Sequence, residues 1–166
     1  MNGQDILNDI GSKAYKKPLV SIRELVSWPS LGEPLHVAIL LLDFDIEVNM
    51  NGLLGFLENH TGAHLEPTIE AFRMLGASQT ADTLIRVREA MARHGVTHQR
   101  LREPHRHTKE YQITTFAELH GSALNDFVGE VRGLGNSLYV HDQSQESPFP
   151  LQKPILSSMR LKYSRS

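Results

Sequence analysis

Cysteine is absent from the 166 residues, which excludes disulfide staples, thiolate metal centres and cysteine nucleophiles. Aromatic residues make up only 7% of the chain, too few for the row of stacking platforms that holds single-stranded nucleic acid. No apolar run approaches the roughly 20 residues that a membrane-spanning helix needs. The Gly-x-Ser-x-Gly elbow, the Gly-x-x-x-x-Gly-Lys phosphate loop and the His-Glu-x-x-His metal helix are all missing. Residues 1–9 are polar and acidic, without the basic and apolar regions of a signal peptide, so a cytoplasmic protein is expected.

The most informative absence is of positive charge. Between Arg23 and Arg73 there is no Lys or Arg, while the interval carries Glu24, Glu33, Asp43, Asp45, Glu47, Glu58, Glu66 and Glu70. The balance then reverses, with Arg73, Arg86, Arg88, Arg93, Arg100, Arg102, Arg106 and Lys109 set against few acids. A formal net charge of −2 therefore conceals an acidic and a basic segment. Such segregation either steers a charged partner or is neutralised when the two segments pack together.

What is present fits one globular domain: 40% of residues are hydrophobic and 22% charged. Apolar residues at helical spacing predict a short helix over 4–15 and a second over 21–28, opened by the Ser21–Glu24 capping box. Residues 35–44 are apolar almost throughout, the mark of a helix at the centre of a core. Asn51 is placed to cap a short helix that turns Leu53, Phe56 and Leu57 to one side. Pro67 suits the first turn of a helix bearing Leu65, Ile69, Phe72 and Leu75, with Gly76 at its end. Ser78 is read as the cap of the longest helix, which Gly95 stops, and residues 96–107 as a polar loop. Thr108 is expected to cap a helix reaching Leu119, and Leu124 to Leu138 form the last amphipathic helix. The fold class is thus all-α: a single domain of about seven helices over residues 4–141. Residues 142–166, rich in Ser and Pro and basic near the end, are expected to form a poorly ordered tail.

Three constellations bear on chemistry. His60 and His64, like His94 and His98, have the i, i+4 spacing that sets two imidazoles on one helix face, but Gly62 and Gly95 interrupt the pairs. A metal-binding protein or metal-dependent enzyme using His60, His64 and nearby acids is the alternative they raise. The Arg-rich stretch 86–109 raises a second alternative, nucleic-acid binding, with Tyr111 as its only nearby aromatic. Asp43, Asp45 and Glu47 alternate as acid-base groups or hard-metal ligands would, yet the register of a calcium loop fails. No catalytic residue, metal ligand or cofactor site is assigned.

Residues 43–95 also carry a resemblance. Glu47-Val48-Asn49-Met50-Asn51-Gly52 is followed by Phe56-Leu57-Glu58-Asn59-His60-Thr61-Gly62, then by Leu75-Gly76-Ala77 and an Ala-patterned helix over 81–90. A closing helix over 124–141 contains Asp126, Phe127 and Tyr139. In order and type these elements resemble the bacterial DNA-mimic-protein family, over roughly residues 4–141. The chain departs from the family pattern at Leu53-Leu54-Gly55, where a second Gly and an aromatic-Gln pair are usual. The resemblance implies an all-α fold, dimerisation, no catalysis and no cofactor. It also implies a basic protein partner, such as a DNA-binding regulator or a toxin, that meets acidic side chains in place of DNA phosphates. Asp43, Asp45, Glu47, Asn51, Glu58, Glu66 and Glu70 are the candidates for that contact.

Overall fold

A computed structural model describes residues 34–104 and 115–140. The helices read over 4–15 and 21–28, the start of the Thr108 helix and the tail from 142 onward lie outside the described residues. Six α-helices and two short 3-10 turns make up the rest, and no strand occurs among the described residues.

Helix α1, Pro34–Glu58, is the apolar centre that the sequence predicts, but it runs further than expected. Instead of ending before Asn51, helical geometry continues through it and breaks at Gly52, whose φ of 69° and ψ of −177° lie where essentially only glycine is stable. Asn51 therefore ends the first leg rather than capping the second. Asp43, Asp45 and Glu47 consequently sit on a helix and not in a turn.

A 3-10 turn, His60–His64, leads into α2, Leu65–Met74. Gly62 is required there by space: a Cβ on it would lie 2.3 Å from the Leu57 carbonyl oxygen. Gly76, at φ 74°, ends α2 as read. Helix α3 spans Ser78–Arg93; its N-cap is Ala77, with no side-chain cap bond, so Ser78 is the first helical residue rather than the cap. Gly95, at φ 59°, stops α3 as expected.

The stretch read as a polar loop holds a further helix, α4, His98–Arg102, whose first turn is capped when Thr97 accepts from the Arg100 amide. Helix α5, Phe116–His120, opens on a capping box between Thr115 and Glu118. The carboxylate of Glu118 is held below its usual range by the backbone and hydroxyl donors of Thr115. A 3-10 turn, Ser122–Leu124, precedes α6, Asn125–Val140.

The core forms around α1, which packs against α2, α4 and α6, while α3 closes the group against α2 and α6. Three of the six phenylalanines meet at its centre: the Phe44 ring is edge-on to Phe56 at 5.0 Å and to Phe72 at 5.1 Å. Edge-to-face geometry sets the positive rim of one ring against the negative face of the next. Ile39, Leu57, Leu84, Leu101, Phe127 and Val131 complete it. Gly135 of α6 faces Leu53 of α1, and a Cβ on it would make only ordinary contact at 3.4 Å.

Candidate protein-interaction site

The break at Gly52 turns the end of α1 into a corner, and a hydrogen-bond network fastens that corner to two other helices. Glu47 Oε2 accepts from Asn51 Nδ2 at 3.1 Å and from Asn59 Nδ2 at 2.6 Å, so one carboxylate spans the break. The Asn59 carbonyl accepts from His98 Nε2 at 3.0 Å, which ties the corner to α4. Glu58 Oε1 lies 2.8 Å from His120 Nε2, with both side chains largely shielded from solvent, which ties it to α5. Arg102 donates to the Glu58 carbonyl at 3.4 Å.

Two acids of α1, Asp45 and Glu47, are held by amides. Asn49 Nδ2 donates to the Asp45 carboxylate at 2.7 Å and to the Asp45 carbonyl at 2.8 Å. Partial burial raises the Asp45 pKa above its usual value, and the Asn49 bond opposes that rise. An amide donor orients a carboxylate without cancelling its charge. Both side chains stand where the first leg of α1 approaches its C-terminal end, the end at which the helix dipole gives an anion no support. Met50, on the last turn before the break, has 75% of its surface exposed.

Glu66 and Glu70 stand elsewhere, on the exposed side of α2. Glu66 pairs with Arg88 of α3 at 3.0 Å, and Glu70 with Arg73 at 3.8 Å. The seven candidates therefore fall into two groups: those of α1 with Asn51 and Glu58, and those of α2. Sequence reasoning missed Asn59, His98 and His120, the residues that fasten the corner. The last two come from 39 and 62 residues away, and nothing local in the sequence marks them.

Next to the corner lies an open cleft of about 500 Å³. One wall is the corner itself, from Asn51 to Asn59; the other is α6, through Arg132, Gly135 and Asn136, with Phe116 of α5 at the edge. Below the corner, His60 and His64 face each other edge-on at 5.8 Å. Burial lowers His64 to a pKa of about 4, helped by the charges of His60 and His98. Burial also lowers His98, against the raising effect of its bond to Asn59. Among the described residues no three His, Asp or Glu side chains converge as a metal site. Of the described arginines of this stretch, four have partners: besides Arg88 and Arg102, Arg93 pairs with Glu130 and Arg100 donates to the Gly95 carbonyl, while residues 105–109 lie outside the described residues. His94 also bonds Glu130, and that bond, followed by the Arg93 charge, holds the Glu130 carboxylate below its usual range.

A family model described as DMP19-like protein matches residues 29–144, more than two thirds of the chain, including all of this corner and cleft. The chain belongs to the DMP19-like family. Membership supports a DNA-mimic role in general terms, with protein partners and without a catalytic activity typical of the family. No curated protein matches the chain, and no solved structure does. No described helix of this DMP19-like chain is long and apolar enough to cross a membrane.

Proposed function

We propose that this DMP19-like chain is a non-enzymatic protein-binding domain whose acidic α1 corner engages a basic partner, a DNA-binding regulator or a toxin. One observation carries the reading: Asp45 and Glu47 are fixed by asparagine amides, and among the described residues no cation pairs with either, so their charge is oriented and not offset there. Duplex DNA presents a similar condition to its readers, anionic oxygens held at fixed positions. Asp43 lies one helical turn before Glu47 on the same side of α1, whereas Asp45, two residues from each, stands on the other side. Glu58 belongs to the corner as a structural member, since it is largely buried and hydrogen-bonded to His120. Glu66 and Glu70 contribute less, because Arg88 and Arg73 offset them.

Family membership supports the protein-binding class, and the cation-free interval supports the sign of the partner's charge. The full-length chain, immobilised, should retain a basic protein from the native lysate that free duplex DNA displaces. Reversal of Asp43, Asp45 and Glu47 to Lys should abolish the retention. A retained partner that survives this reversal, or that ignores competing DNA, rules the reading out.

A further inference from the structure

The cleft between the corner and α6 presents three kinds of surface within one groove. Arg132 is exposed on α6 and pairs with no carboxylate among the described residues. Leu54 and Phe116 offer half-buried apolar surface. The corner adds carboxylate: Glu58 lines the groove, and Glu47 stands behind Asn51 and Asn59. A volume of about 500 Å³ admits a few side chains and the backbone that joins them.

We propose that this groove is the docking site for residues 146–153 of the same chain. That segment reads Glu-Ser-Pro-Phe-Pro-Leu-Gln-Lys: one anion, an apolar centre and one cation, each with a complement in the groove. The chain leaves α6 at Val140, one turn beyond Asn136 in the groove wall. Arg132 lies about 12 Å back along that helix, and the six residues 141–146, extended, span up to about 20 Å, so Glu146 reaches it after a reversal. Phe149 and Leu151 then meet Phe116 and Leu54, and Lys153 meets the corner carboxylates. Pro148 and Pro150 fix their own φ angles and bias Ser147 and Phe149 to extended backbone, so fewer conformations are lost on docking. A tether this short supplies an effective concentration on the order of millimolar, so even a weak contact is populated. The docked segment shares Glu47 and Glu58 with the acidic corner, but its test reads a crosslink within one chain and needs no partner.

The test uses the full chain with a photo-crosslinking phenylalanine analogue placed at Asn136. Irradiation of a mixture of light and isotopically heavy protein should give a within-chain crosslink to residues 146–153. Phe149→Ser with Leu151→Ser should lower its yield at least fivefold. Glu146→Arg should lower it as well, and Arg132→Glu should restore it. Amide exchange over residues 51–59 should quicken at least threefold in the double serine variant, with α3 unchanged. No crosslink, a crosslink to another segment, light-to-heavy crosslinks only, or a yield indifferent to these substitutions overturns the proposal.

Discussion

Two sets of carboxylates sit on successive helices of this domain and are restrained in opposite ways. On α2, Glu66 and Glu70 face guanidinium groups across solvent-exposed gaps of 3.0 and 3.8 Å. On α1, Asp45 and Glu47 face asparagine amides, and Glu47 is shared by two of them across a backbone break. A guanidinium answers the charge; an amide only orients it. The same residue type in one cation-free interval thus yields a neutralised helix face and an available one. The difference comes from the neighbour one turn along the same helix, Asn49, Asn51 or Arg73, and from Asn59 and Arg88, which packing brings opposite Glu47 and Glu66. The backbone differs as well. Helix α2 is regular, whereas the corner needs glycine at 52 for its torsion and at 55 and 62 for space, where an added Cβ would lie 2.1 Å from Asn51 Cβ and 2.3 Å from the Leu57 carbonyl oxygen.

The largest effect expected from this contrast is at Gly62. An added Cβ meets the Leu57 carbonyl at 2.3 Å, so backbone and not a flexible side chain must yield. Gly62→Ala should cost about 3 kcal/mol of unfolding free energy in urea. At Gly52 nothing lies within 4 Å of the added carbon, so Gly52→Ala carries only backbone strain. About 1–3 kcal/mol is expected for it, and a cost below that would mean the break relaxes into continuous helix.

The histidines below the corner come next. Folded His64 is held at a pKa of about 4 against an ordinary 6.5, so the unfolded chain binds its proton more readily. Stability should therefore fall as pH drops from about 6.5 to about 4, then cease to fall on this account. Because the ring is only partly buried, about 1 kcal/mol is a discounted figure for the loss. Denaturant titrations at pH 7 and pH 4.5 on wild type and His64→Gln should show a smaller loss in the variant. The smallest effect belongs to α2: Glu66→Gln removes an exposed ion pair and should change stability by less than about 0.5 kcal/mol.

Much of this fold is legible in the residues, because helical periodicity and glycine stops are local signals. Gly76 and Gly95 adopt the positive φ their positions imply, and Phe72, Leu84, Phe127 and Val131 are buried as their spacing predicts. Asn51 misleads because asparagine suits both the end of one helix and the cap of the next, and only the Gly52 torsion decides between them. Helix α4 stays hidden in a polar stretch because it is five residues long and buries only Leu101. The acids of the site are readable from charge alone. What distinguishes Glu47 from Glu66 is not, because Asn59 and Arg88 reach them from 12 and 22 residues away.

The account rests on the α1 carboxylates being the ones another protein meets. Its most direct test is the affinity of the recovered basic partner for two paired variants, measured by calorimetry at fixed salt. Asp45→Asn with Glu47→Gln should weaken binding at least tenfold, while Glu66→Gln with Glu70→Gln should shift it less than twofold. Equal losses, or a larger loss from the α2 pair, would contradict it.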